Sequence, residues 1–147
     1  MFDKILVVCV GNICRSPFGE RLLQKKLPHK TIASAGVGVK RSHLAGKPAD
    51  ITATEVASNY GVDLVAHSAQ QLTGELCSQY DLILAMEKGH IHAIAEIAPE
   101  ARGKVMLFGQ WIGQQDISDP YKQSREAFEF VFEQIDTAAE SWVKKLR

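Results

Sequence analysis

Short, wholly apolar runs alternate along the chain with longer stretches in which apolar residues recur every three or four positions. Lys4 to Val10 (KILVVCV) is rich in β-branched residues and has no polar face, the pattern of a buried parallel strand. Ser16-Pro17 offers a cap and a proline for the first helical position. Phe18 to Leu27 continues as a helix with Leu22, Leu23 and Leu27 on one side. Thr31 to Ala35 reads as a second strand, ended by Gly36. Val37 to Pro48 is loop-like and carries the basic residues Lys40, Arg41 and Lys47. Asp50 or Thr52 is placed to cap a helix reaching Tyr60, with Gly61 as its stop. Asp81 to Met86 (DLILAM) is a third buried strand. Glu87 to Ala98 is helical, with Ile91, Ile94, Ala95 and Ala98 on one face and Pro99 beyond it. Val105 to Phe108 is a fourth strand. After an irregular stretch, Ser124 to Leu146 is a long helix whose apolar face carries Phe128, Val131, Phe132, Ile135 and Ala139. This alternation predicts an α/β fold of three layers, a four-stranded parallel sheet with helices on both faces. No repeat, low-complexity tract or linker divides the chain, so residues 1–147 read as a single domain. Ligands of such sheets bind beyond the carboxyl ends of the strands, where the segment after Val10 belongs.

Charge narrows the choice of partner. The 147 residues carry 17 Lys plus Arg and 17 Asp plus Glu. That balance speaks against a partner held by bulk charge, such as nucleic acid or an anionic membrane surface. The apolar stretch near the N-terminus is far below the roughly 20 residues of a membrane span, and it lacks a charged lead-in or a cleavage site. A cytoplasmic chain with no direct membrane insertion is expected. Its three cysteines are then reduced thiols rather than a disulfide framework.

The chemistry concentrates in Cys9-Val10-Gly11-Asn12-Ile13-Cys14-Arg15-Ser16-Pro17. A cysteine ends a strand, a short loop comes next, and an arginine precedes a helix. Successive amides of a tight loop, Val10 to Cys14, form a nest for an anion, and the helix start adds its positive end. Gly11 and Asn12 tolerate the left-handed conformations such a loop needs. Arg15 can grip two oxygens of a tetrahedral oxyanion through its planar fork. Cys9 lies beneath that anion, where the same donors stabilise a thiolate and Ser16 can give its hydroxyl proton to the sulfur. The loop is not a Walker A sequence. A nucleophile aimed at phosphorus needs a partner to protonate the leaving oxygen and later to activate water, two tasks that suit one carboxyl group. Asp119, in Ser118-Asp119-Pro120-Tyr121 after the fourth strand, is the candidate. Tyr121 either walls the site and stacks on an aromatic substrate or packs against the fold.

The run C-V-G-N-I-C-R-S-P, then S-A-G at Ser34 to Gly36, then D-P-Y at Asp119 to Tyr121, resembles the low-molecular-weight protein tyrosine phosphatase family. The likeness extends over essentially the whole chain, including Y-D-L-I-L-A-M from Tyr80 to Met86. It implies a Rossmann-like parallel sheet, metal-independent and cofactor-free hydrolysis, and a phosphocysteine intermediate. By position it makes Cys9 the nucleophile, Arg15 the oxyanion clamp, Ser16 the group that activates the thiolate and Asp119 the acid and base. It gives Asn12 the task of holding the loop's shape, with Ser34 as its hydrogen-bonding supporter and Glu20 and His67 behind the loop. Ala33 stands where eukaryotic members carry an acidic residue. Within the family the chain is most similar to the bacterial branch linked to capsule and exopolysaccharide export, through A-P-E-A-R-G-K-V-M-L-F-G-Q-W (Ala98 to Trp111) and a non-aromatic loop from Val39 to Leu44. Leu44 is thereby expected in the pocket wall beside Tyr121. The resemblance implies a phosphotyrosine protein as partner, the cytoplasmic tail of a membrane tyrosine autokinase, and a monomeric enzyme.

Other readings compete on the same residues. Arsenate reduction needs two further cysteines to relay a disulfide, and only Cys77 lies beyond the loop. Protein arginine phosphatases carry threonine where this loop has Ile13. A binding module without turnover would not need nucleophile, clamp and acid together. Cys14 is either a small buried side chain or half of a reversible disulfide that shields Cys9. Cys77 reads as structural. His90 and His92, two positions apart on a helix, diverge and make a poor metal pair; they are expected on the surface, with no metal bound. Lys40, Arg41 and Lys47 read as a solvated loop, or as a dock for acidic phosphorylated tails.

Overall fold

The structure, a computed structural model, describes residues 2–147. Strands β1 (Lys4–Cys9), β2 (Thr31–Gly36), β3 (Leu82–Ala85) and β4 (Val105–Leu107) form one parallel sheet in the order β2-β1-β3-β4. The two-residue period of a strand divides β1 between two cores. Ile5, Val7 and Cys9 point to one face and Leu6 and Val8 to the other. The first face is covered by α1 (Arg15–Lys26), α2 (Ile51–Ser58) and α5 (Arg125–Leu146). Phe18 of α1 stacks on Phe132 of α5 there, centroids 4.2 Å apart. The second face is covered by α3 (Gly74–Cys77), α4 (Lys88–Ile97) and a 3₁₀ turn over Pro99–Lys104. Helices thus lie on both faces of the sheet, as the alternation of apolar runs predicts. No helix among the described residues is long and apolar enough to cross a membrane.

Several boundaries differ from the expectation. Helix α1 begins at Arg15, so Ser16 is not its cap and Pro17 is not its first residue; Cys14 occupies the cap position and makes no side-chain cap bond. The Ser16 hydroxyl is taken by Cys9 and Asn12 instead. Pro17 is tolerated at the third helical position because first-turn amides have no acceptor within the helix. Asp50 rather than Thr52 caps α2, its carboxylate accepting from the Ala53 amide at 3.1 Å. That helix ends at Ser58, and Gly61, at φ 71°, lies beyond it. Strand β1 stops at Cys9 because the chain turns at Val10 into the loop. The short α3 and the 3₁₀ turn have no clear periodic signal in the sequence. His90 is not a surface residue: it is 7% exposed and lies beside Glu87, the side chain that holds Arg15. His92 is exposed as expected.

The sheet order sets where the loop emerges. β1 is internal, flanked by β2 and β3 and covered on both sides. The loop that carries Cys9 to Arg15 therefore leaves from the middle of the carboxyl edge, beside the switch in strand order where ligands of such sheets bind.

Candidate active site

The loop from Cys9 to Arg15 lines a cavity of about 310 Å³ with Ser42, Leu44, Asp119, Tyr121 and Lys122 at its mouth. That is the small end of the usual range for ligand sites, with room for one substituted tetrahedral anion. Every loop residue singled out from the sequence, together with Leu44, Asp119 and Tyr121, borders this one space. Ser16 and Ser34 lie buried behind it. Among the described residues, the amides of Gly11, Ile13 and Cys14 donate to no protein acceptor. Helix α1 also begins without a side-chain cap and without an acidic residue in its first turn. Unpaired loop amides and an uncompensated helix start together make a seat for an anion.

Asn12 holds the loop. It is fully buried at φ 57°, a conformation asparagine tolerates better than most residues. Its side-chain oxygen accepts from the Gln70 amide at 2.9 Å, which fixes the orientation of the carboxamide. Its Nδ2 then donates to Ser16 Oγ at 2.8 Å and to Ser34 Oγ at 2.9 Å. Its carbonyl meets Nε2 of His67 at 2.6 Å. Burial holds the His67 imidazole below its ordinary pKa, so the neutral ring donates Nε2–H to that carbonyl. Ser34 passes its own proton to Glu20 Oε1 at 2.6 Å. The network is complete without an acid at Ala33, because Glu20 supplies the carboxylate from α1.

The same bonds hold Ser16 against the sulfur. Its oxygen receives Asn12 Nδ2 and lies 2.9 Å from Cys9 Sγ; toward a thiolate, which can only accept, the hydroxyl is the donor of that pair. The Asn12 amide adds a second donor to that sulfur at 3.3 Å. Cys9 is 3% exposed and lies at the cavity floor. Burial pushes the Cys14 thiol far up, which keeps it protonated. Cys9, Cys14 and Cys77 are all buried free thiols.

Arg15 is 2% exposed and oriented by two acceptors. Its Nη1 donates to Glu87 Oε2 at 2.5 Å and to the Ile117 carbonyl at 2.6 Å. A buried guanidinium needs such a partner, since an unpaired one is costly. Asp119 Oδ2 stands 3.9 Å from Nη2, beyond hydrogen-bond distance, so the remaining donors are available to an oxyanion. Asp119 is about half exposed. Its Oδ1 accepts from the Tyr121 amide at 3.0 Å, which shapes the turn over the cavity. Tyr121 is 40% exposed, placed as a wall rather than packed away.

Sequence reasoning missed Glu87, the Ile117 carbonyl and Gln70. Glu87 had a signal, since it closely succeeds β3 at the same sheet edge as Cys9. Ile117 is pinned there because its amide donates to the Met86 carbonyl at 2.8 Å. No single-residue signal marks a carbonyl acceptor.

Comparison with known proteins agrees with this geometry. Residues 4–147 match the family described as low molecular weight phosphotyrosine protein phosphatase. The chain is 54% identical to the Escherichia coli low molecular weight protein-tyrosine-phosphatase Etp over 145 residues, covering 99% of this chain and 95% of that protein. It superposes on Vibrio vulnificus Wzb in complex with benzylphosphonate with a TM-score of 0.98 at 66% identity, covering 99% of this chain and all of the other. The tyrosine phosphatase Wzb from Escherichia coli K30 in complex with sulphate gives a TM-score of 0.95 at 50% identity, with both chains fully covered.

Proposed function

The chain belongs to the low molecular weight phosphotyrosine protein phosphatase family, and we propose that it hydrolyses phosphotyrosine on proteins through a phosphocysteine intermediate. The substrate's phosphate enters the cavity with its equatorial oxygens on the loop amides and Arg15. The Cys9 sulfur attacks phosphorus in line with the aryl oxygen. The S–P bond forms, the P–O bond breaks, and Asp119 gives its proton to the departing phenolate. Water then enters where the phenol left. Asp119, now a carboxylate, takes a proton from it as the oxygen attacks phosphorus, inorganic phosphate forms and Cys9 regains its electron pair. Ser16 stabilises the sulfur at both ends of this cycle. Arg15 and the helix start stabilise the charge spread over the equatorial oxygens in each transition state.

The observation that carries this reading is the sulfur of Cys9 lying 2.9 Å from the Ser16 hydroxyl in a cavity lined by Arg15 and Asp119. The benzylphosphonate complex of the Vibrio relative supports an aryl-sized group above the phosphate. The physiological partner in this proposal is the phosphorylated cytoplasmic tail of a membrane tyrosine autokinase that controls capsule or exopolysaccharide production. The enzyme is a cytoplasmic, monomeric single domain.

The test has two arms. Purified protein is expected to hydrolyse an aryl phosphate in the presence of a chelator and to carry phosphate on Cys9 after acid quench. A Cys9→Ser trap is expected to capture a tyrosine-phosphorylated kinase from the native cell. Substantial turnover of a phosphoarginine protein, with little on phosphotyrosine, would overturn the assignment.

A further inference from the structure

One buried polar side chain takes no part in this cycle. His90 lies in the first turn of α4, three residues after Glu87, and is 7% exposed. Its Nδ1 is buried and, among the described residues, has no hydrogen-bond partner. Its Nε2 stands 3.6 Å from Glu87 Oε2, a polar contact just outside hydrogen-bond distance, on the oxygen that also receives Arg15 Nη1. An imidazole with a stranded ring nitrogen costs stability that an apolar side chain of similar size would not. Residues that break a local rule in this way tend to be kept for function.

The charged groups that face the ring are Arg15, Glu87, Asp116 and Asp119. Burial and the neighbouring Arg15 favour its neutral form. A neutral imidazole beside a carboxylate carries its proton on the nitrogen facing that carboxylate, here Nε2, and Nδ1 is left bare. The Glu87 side chain is one-third exposed and has rotamers that would carry it toward solvent. His90 and Arg15 both approach the same carboxylate oxygen.

We propose that His90 is a positioning residue for Arg15, holding the Glu87 carboxylate in the orientation that sets the guanidinium plane for the phosphate. This rests on the reading of the cavity as a phosphate site. The ring touches neither substrate nor sulfur; it acts through Glu87, and the clamp is preorganised because three side chains in series fix it.

Calorimetric binding of inorganic phosphate tests this without turnover. It therefore stays readable even if the protein hydrolyses no aryl phosphate, a result that would count against the proposed function alone. His90→Leu is expected to weaken phosphate binding about threefold to thirtyfold, within the range for coupled neighbours, while Tm holds or rises because the stranded nitrogen is gone. His90→Gln, whose amide reaches the place of Nε2, is expected to bind within about twofold of wild type. His90→Asn, polar but too short to reach Glu87, is expected to lose affinity like leucine, and it carries the test if the leucine variant does not fold. In a Glu87→Gln background, replacing His90 is expected to add nothing further. Unchanged phosphate affinity in His90→Leu or His90→Asn, equal loss in the glutamine variant, or effects that simply add with Glu87→Gln would each overturn the proposal. A lower Tm with intact affinity would make the ring a packing residue.

Discussion

The carboxylate of Asp119 stands 3.9 Å from Nη2 of Arg15, so in the resting protein the acid of the proposed reaction sits beside the clamp that receives the phosphate. In the proposed reaction an entering dianion would take over the guanidinium and leave Asp119 to face the leaving oxygen. Asp119→Ala is expected to lower kcat on a phenolic substrate of ordinary leaving-group pKa by about 10²–10⁴-fold. A substrate whose leaving group needs no proton is expected to lose much less in the first step. Steady-state kinetics across a series of substituted phenyl phosphates reads this directly, and a uniform loss along the series would remove Asp119 from the role of acid.

Ser16 is expected to show itself at the sulfur rather than in the fold. Ser16→Ala removes one hydrogen bond to Cys9 Sγ, and bonds to a charged partner are worth about 1.5–3 kcal/mol. Alkylation of Cys9 by iodoacetate near neutral pH is then expected to slow by about tenfold or more, measured by mass spectrometry of the Cys9 peptide. An unchanged rate would mean that the sulfur is held by the loop amides alone.

Asn12 carries the loop's shape. Asn12→Ala leaves Ser16, Ser34 and the Gln70 amide without their partner and puts alanine at φ 57°. The expected loss is about 3 kcal/mol of stability, together with most of the activity. Chemical denaturation checks the first and turnover the second; a variant with wild-type stability would show that the network merely accompanies the loop.

Much of this site is legible in the sequence, for a physical reason. An anion seat built from consecutive amides has to be a consecutive stretch of chain, so Cys9 to Arg15 announce it together. The central strands β1 and β3 behind it are apolar on both faces and stand out as short apolar runs. Support from a distance leaves no such mark. Gln70 reaches Asn12 across 58 positions, and Glu87 reaches Arg15 across 72. The true start of α1 is hidden as well, because Ser16, a good cap by type, commits its hydroxyl to the sulfur. His90 looks like a surface residue because the helical period favours Ile91, whereas in the fold its ring lies against Glu87.

Acid is expected to weaken the protein through His67. Burial holds its folded pKa below the ordinary value of 6.5, so the unfolded chain takes up its proton first. The stability tied to the neutral ring is complete above about pH 6.5 and falls as pH drops from there toward the folded value. His67→Gln, which keeps a donor near the Asn12 carbonyl without a titrating group, is expected to flatten that part of the curve. Urea midpoints between pH 7.5 and 5 for both proteins measure it; parallel curves would exclude His67 as the source.

Gly36 closes the seam between β2 and the loop. A Cβ there would lie 2.3 Å from the Val10 carbonyl oxygen and 2.7 Å from a Val39 methyl. Because one of these neighbours is backbone, Gly36→Ala is expected to cost about 2 kcal/mol or more and to disturb phosphate binding with it. Denaturation and calorimetry on the same variant check both; an alanine variant as stable as the parent would show that the strand end can shift.

The floor of the cavity and its rim come from different parts of the chain. The floor hangs from β1, clasped by strands on both edges and helices on both sides, whereas Leu44 and Tyr121 belong to two outlying connections that meet only across the opening. The side chains of Leu44 and Tyr121 can be exchanged while the Ile117 carbonyl and Asp119 stay in place beside Arg15, so the choice of guest can drift over evolutionary time while the reaction performed on it is kept.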